Sequence, residues 1–365
     1  MLNNNCVFTS QNRPNMIFIV GNSRSGTTVM ARLLGRSAMI HTFNELHFFE
    51  EIWSPDSLNT VNDNQANELI FAKLINTERD SYIGEKCPDR YLSEAREALA
   101  KNGNTGAAKH EIFEKFMTYE AGLNGKTIAC EQTPRNVFYA KYILDKYPKA
   151  AIVNMIRDPR AVMLSQKNRW KIRKLGATNF PRIEVVRSWV NYHPVVTSIL
   201  WNSSIDAANN VSMNPRVLNV RYEEFVHNPE GIMGEICKFI GIRFTNDMLM
   251  ISHDAAGGSS LRRRDVPQGK GIYKESLDQW RKGGLSRGEI YICQKLTSQR
   301  MIRLGYQCDN ISALSSLLSL CAVFLMLPAK LVLAFVLNIR RHANLISSIK
   351  RRMPSYNSDK KNAIC

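Results

Sequence analysis

Met16-Ile-Phe-Ile-Val20 is an apolar run of strand length that ends on Gly21-Asn-Ser-Arg-Ser-Gly26, after which residues 27–34 resume apolar positions at helical spacing. A buried strand, a tight glycine-bounded loop and a helix leave few folds open. The loop N–H groups and the helix N-terminus converge on one point and make a cradle for an anion. Lys126-Thr-Ile-Ala-Cys130, Ala151-Ile-Val-Asn-Met-Ile156 and Val217-Leu-Asn-Val220 read as further buried strands, separated by helical segments. The alternation predicts an α/β chain, a P-loop three-layer fold with a central parallel sheet flanked by helices. In such sheets ligands lie beyond the carboxyl ends of the strands. Residues 21–28, 131–135, 157–160 and 221–224 therefore form the expected site.

The chain has 365 residues, enough for one large domain with an appendage. Residues 1–14 are polar and lack the apolar run of a signal peptide, which predicts a cytoplasmic location. Residues 15–307 read as the main domain. Within it, 55–125 are rich in Ala, Glu, Asn and Lys at helical spacing and read as a helical cap or acceptor-binding insertion. The eight cysteines are scattered without a CxxC pair, which argues against a zinc site or a disulfide scaffold. A formal charge of +17 points to anionic partners.

The loop departs from a nucleoside-triphosphatase in one residue. GxxxxGK[ST] needs a Lys after its second glycine to reach the β- and γ-phosphates, and that place is Thr27. The cation stands inside the loop at Arg24, where a guanidinium can fork onto a terminal anionic group without a metal. A nucleotide lacking β,γ-phosphates fits better than ATP. A second phosphate motif follows the strand ending at Ile156: Arg157-Asp-Pro-Arg160 runs into a helix that carries Ser165 two turns on, and Pro159 suits its first turn.

With both motifs in this order the chain resembles sulfotransferases that use 3'-phosphoadenosine 5'-phosphosulfate (PAPS), in particular the branch of tyrosylprotein and bacterial carbohydrate sulfotransferases. The resemblance covers residues 15–307 and includes Glu131-Gln-Thr-Pro-Arg-Asn, Arg221-Tyr-Glu-Glu-Phe, Gln279-Trp-Arg-Lys and Leu304-Gly-Tyr306. It implies that Arg24, Ser25, Gly26, Thr27 and Thr28 hold the 5'-phosphosulfate. It implies that Arg157 and Ser165 grip the 3'-phosphate, that Tyr222 lies near the nucleotide, and that Lys270 reaches the 3'-phosphate. Sulfuryl transfer needs a base for the acceptor hydroxyl and a cation for the leaving oxygen. Glu45, in Phe43-Asn-Glu-Leu-His47, matches the family's base, with Arg24 as leaving-group stabiliser and His47 as the second candidate base. Family members often carry Lys where this chain has Gln132; the missing charge would then fall to Arg24, Arg135 or Lys86.

Residues 311–329 hold no charge, and the apolar run resumes at 331–337 after Lys330. Pro328 and four serines weaken a simple spanning helix, and basic residues flank both ends. A re-entrant hairpin hinged near Pro328 or an interfacial helix pair is expected within 311–339, followed by a basic tail over 340–365. The alternative is a helical hairpin packed on the domain. The expected partners are a hydroxyl-bearing acceptor, glycan-like or lipid-linked, and an anionic membrane surface, with no nucleic acid. Two competing readings are a P-loop kinase or NTPase, which magnesium dependence would reveal, and a noncatalytic membrane-tethered protein that binds anions through charge alone.

Overall fold

The computed structural model describes residues 8–53, 64–80, 87–101, 108–173, 182–250 and 277–338. Its centre is a five-stranded, wholly parallel sheet of β1 (Met16–Gly21), β2 (Ile40–Thr42), β3 (Ile128–Glu131), β4 (Ala150–Ile156) and β5 (Val217–Arg221), in the order β2-β3-β1-β4-β5. Met16 pairs with Ala129 on one side and Ala150 on the other, and Ile152 pairs with Val217. The expected sheet is therefore present, with one strand added. β2 pairs Ile40 with Ile128 at the sheet edge, and its three residues are too few to give a period-two signal.

The helices are α1 (Thr27–Leu34), α2 (Asn64–Arg79), α3 (Leu92–Ala100), α4 (Lys109–Leu123), α5 (Ala140–Lys146), α6 (Pro159–Lys167) and α7 (Arg182–Val190), then α8 (Pro194–Asn209), α9 (Tyr222–His227), α10 (Pro229–Phe239), α11 (Arg287–Arg303), α12 (Ala313–Leu325) and α13 (Leu327–Asn338). Every residue of β1 is buried because side chains alternate between two covered faces. Met16, Phe18 and Val20 point into a core shared with Phe71, Leu74 and Phe113 of α2 and α4. Ile17 and Ile19 point the other way, toward Met30 and Leu33 of α1, Phe225 of α9 and Met233 of α10. The helices expected over 55–125 thus build one of the three layers, and Phe113 stacks on Phe18 with ring centroids 6.4 Å apart.

The C-terminal apolar segment differs from the expected hairpin. α12 passes into α13 through Met326 alone, at φ −81° and ψ −12°, so the chain runs on in right-handed helical geometry instead of reversing at Pro328. Ala313–Leu337 are apolar and long enough to cross a membrane.

Candidate functional site

All the expected site segments leave the carboxyl edge of the sheet. β1 ends on Gly21 at φ 143°, where a Cβ would lie 2.3 Å from the Met155 carbonyl oxygen of β4. The loop closes on Gly26 at φ 98°, where a Cβ would come within 2.5 Å of the Tyr222 ring. Glycine is required at both places by space and by backbone conformation. Between them Arg24 takes φ 78°, an uncommon conformation for a residue with a side chain. Ser25 is fully buried, and its hydroxyl has no hydrogen-bond partner among the described residues. α1 starts at Thr27 with no side-chain cap on its first N–H groups; Thr27 is buried and Thr28 exposed. A buried orphan hydroxyl, two close backbone approaches and an uncapped helix start suit a phosphate-sized anion.

The second motif meets the first. Arg24 Nε donates to Ser165 Oγ at 3.0 Å, joining the loop to α6. Arg157 donates to the Arg24 carbonyl at 3.2 Å, and its guanidinium lies 4.3 Å from the centroid of the Tyr222 ring. Arg24, Ser25, Gly26, Arg157, Ser165 and Tyr222 therefore form one cluster. The neighbouring Asp158 carboxylate is held by Arg160 at 2.7 Å. Trp201 Nε1 donates to the Arg157 carbonyl at 2.9 Å and fixes the strand end.

Glu45 and His47 stand on the loop after β2, at the same edge but two strands away from β1. His47 Nε2 is 3.3 Å from Glu45, and its Nδ1 is 3.4 Å from Glu50. Arg135 pairs with Glu50 at 3.2 Å. Burial alone would lower the His47 pKa, but bonds to Glu45 and Glu50 raise it to about 9. The two carboxylates thus favour the charged form of the His47 ring. The Glu45 side chain is 41% exposed. Burial pushes its pKa up, but His47, Arg169 and Arg135 outweigh this and hold it below the ordinary carboxylate value.

Several residues that support this loop carry no local sequence signal. The Leu46 N–H donates to the fully buried Glu131 at 3.2 Å, and the His47 N–H donates to Thr133 Oγ1 at 3.3 Å. Glu131 also accepts from the Thr133 N–H and hydroxyl and from Asn136 Nδ2. Glu78 of α2 accepts from the Asn44 N–H at 2.8 Å. Glu50, three residues after His47, was open to discovery from spacing; Glu78 and Arg169 come from distant segments. The Gln132 side-chain oxygen is buried and has no hydrogen-bond partner among the described residues. Lys270 and Lys86 lie outside the described residues.

The remaining stretches of the resemblance surround the second motif. Tyr306 donates to Glu223 at 2.8 Å, Glu223 accepts the Asp158 N–H at 2.9 Å, and Trp280 lies under the Arg160 guanidinium at 4.0 Å. They are the frame around Arg157.

Comparison with known proteins agrees with this geometry. The model of the Sulfotransferase family matches residues 14–246. A protein-tyrosine sulfotransferase of Drosophila melanogaster is 22% identical over 249 residues, 67% of this chain and 42% of that protein. An uncharacterised protein of Aquifex aeolicus is 22% identical over 271 residues, 73% of this chain and 30% of that protein. The chain thus spans less than half the length of these curated relatives. Among solved structures, the sulfotransferase domain from the curacin biosynthetic pathway superposes with a TM-score of 0.50 at 18% identity, over 81% of this chain and 99% of that domain. With the family match covering well over half of its length and the parallel sheet carrying both phosphate motifs on one edge, the chain belongs to the sulfotransferase family.

Proposed function

We propose that the protein transfers a sulfuryl group from PAPS to a hydroxyl of an acceptor, with Glu45 as general base. The observation that carries the reading is the junction of the two phosphate motifs, in which Arg24, Arg157 and Ser165 touch beside the buried Ser25 hydroxyl. In this reading the backbone of residues 25–28 and Arg24 hold the 5' end of the nucleotide. Arg157 and Ser165 hold the 3'-phosphate against Tyr222, and Lys270 reaches the same phosphate. The donor supplies a sulfuryl group activated by its bond to a phosphate. Glu45 takes the acceptor proton as the new O–S bond forms, and Arg24 meets the charge left on the departing phosphate oxygen. His47, held as an imidazolium by Glu45 and Glu50, keeps the base ionised and oriented. The charge that family members often supply by a Lys at the place of Gln132 falls in this reading to Arg24, Arg135 or Lys86. A glycan-like or lipid-linked acceptor and a cytoplasmic, membrane-associated location belong to the same proposal, supported by the apolar C-terminal segment.

The test is calorimetric binding of adenosine 3',5'-bisphosphate without magnesium, with ATP and AMP as controls. The bisphosphate should bind best. Arg157→Ala and Ser165→Ala should each weaken it, about ten- to a hundredfold for the Arg, the usual worth of a charged hydrogen bond. Preference for ATP with magnesium would overturn the reading in favour of a kinase or NTPase.

A further inference from the structure

We infer that α12 and α13, with the outer faces of α7 and the start of α8, form a docking surface that lies in the plane of an anionic lipid bilayer and does not cross it. The inference rests on the membrane association proposed above, not on the sulfuryl-transfer chemistry. Exposed apolar side chains recur at helical spacing along the whole segment: Leu314, Leu318, Leu325, Val332, Phe335 and Val336, with Leu318 at 88%. The stripe keeps its phase across Met326, so the two helices present one continuous apolar face. It is far more than scattered surface leucines.

The opposite face, which mixes Ser316, Ser319 and Lys330 with Leu320, Val323 and Leu327, is bound to the domain. Ser316 is fully buried. Ser319 Oγ accepts from the Gly288 N–H at 2.8 Å, and a Cβ on Gly288 would stand 2.7 Å from that oxygen. Lys330 donates to the Tyr192 carbonyl at 3.2 Å and lies 4.6 Å from the Trp189 ring centroid. Arg187 of α7 caps the far end by donating to the Leu337 carbonyl at 2.9 Å. These tethers run from Ser316 to Leu337, about 32 Å of helix. A helix fastened along that length to α7 and α11 could cross a bilayer only by drawing Arg187, Glu289 and Lys167 in with it, which is costly.

The neighbouring surface extends the apolar face. Ile183, Val186 and Trp189 are exposed on α7, and Val196 and Ile199 on α8. At its margin a groove of about 290 Å³ is lined by Lys330, Trp189, Tyr192 and Lys167, the last paired with Glu289 at 2.7 Å. Cations and tryptophan beside an apolar face match the headgroup level of a membrane. The segment from residue 311 onward carries eight basic residues against one Asp. That charge suits anionic lipid and opposes face-to-face pairing of two copies.

The test uses the full chain in vesicle flotation, with phosphatidylcholine alone or mixed with phosphatidylglycerol. Flotation is expected with the mixed vesicles and should weaken with salt. Leu318→Glu combined with Leu325→Glu should cut it about a hundredfold or more while bisphosphate binding is unchanged. Spin labels on Leu318→Cys, Leu325→Cys and Val332→Cys should report one shallow depth. A depth gradient along the three would mean a crossing helix and overturn the in-plane arrangement. Absence of flotation, with a dimer that the double Glu variant dissociates, would assign the surface to a second copy. Loss of flotation alone counts against the surface; loss of bisphosphate binding in the unaltered chain counts against the sulfuryl-transfer reading.

Discussion

Two carboxylates away from the proposed reaction hold the loop that carries Glu45. Glu131 takes the Leu46 N–H and Glu78 the Asn44 N–H, so the residues on both sides of Glu45 are fixed from different elements. Burial pushes the Glu131 pKa up to about 7 and the Glu78 pKa to about 8. Between the unfolded carboxylate value of 4.5 and these values, the native state binds more protons than the unfolded state. Stability therefore falls as pH rises through that interval. His47 acts in the same direction: its pKa is raised from 6.5 to about 9, so its contribution is full below 6.5 and lost as pH climbs through 9. His41, His110 and His193, whose pKa values burial lowers, act in the opposite direction, so the sharp expectation is a difference. Glu131→Gln should make the slope of melting temperature between about pH 5 and pH 7 less negative than in the parent, whatever its absolute stability. An unchanged slope would show that Glu131 does not titrate in this range. In catalysis, Glu45→Gln should lower kcat about 10²–10⁴-fold with bisphosphate affinity intact. His47→Gln should move the acid limb of the pH–rate profile upward, because Glu45 loses the partner that lowers its pKa.

The β1–loop–α1 element concentrates strain where the nucleotide is proposed to bind. Arg24 at φ 78° carries a side chain in a region that favours glycine, a cost of about 1–3 kcal/mol that persists only where the surroundings demand it. Arg24→Gly should relieve this strain, so the variant melts no lower than the parent while sulfuryl transfer collapses; a large drop in melting temperature would make Arg24 a structural residue through its bond to Ser165. The element was legible in the sequence because every part of it is local: an apolar run, two glycines and a helical period within twenty residues. The second motif was equally legible, since a strand end, Pro159 and Ser165 follow in order. What stayed hidden is non-local. Glu78 reaches Asn44 from 34 residues away and Glu131 reaches Leu46 from 85, and neither distance leaves a pattern in the chain. Pro328 misled in the other direction. As the second residue of α13 it has few intrahelical bonds to break, so the helix continues where a reversal was expected.

At the scale of the whole molecule, the carboxyl edge of the sheet depends on residues beyond the family match, which ends at 246. Arg160, 2% exposed, bonds Asp158 and Gln294 and reaches Asp309 at 3.4 Å, while Trp280 covers its guanidinium. Asp158 caps α6 and so fixes the helix carrying Ser165, and Tyr306 closes the same network through Glu223. Breaking a buried pair of this kind costs about 3–5 kcal/mol, because one charge is left uncompensated. By contrast, none of the apolar clusters among the described residues draws a side chain from α12 or α13. The apolar segment is tied to the domain by part-buried hydrogen bonds, the buried Ser316 and the Lys330–Trp189 contact, without joining those clusters. A chain truncated after residue 310 should therefore fold, stay soluble without detergent, and bind bisphosphate within about twofold of the full chain. A chain truncated after residue 250 should be insoluble, since Arg160 then loses Trp280, Gln294 and Asp309 together. If the longer truncation folds and binds while the shorter does not, the catalytic unit ends between the two cuts and the helical segment is an attachment; if the shorter one binds equally well, the Arg160 network does not hold the second phosphate motif in place.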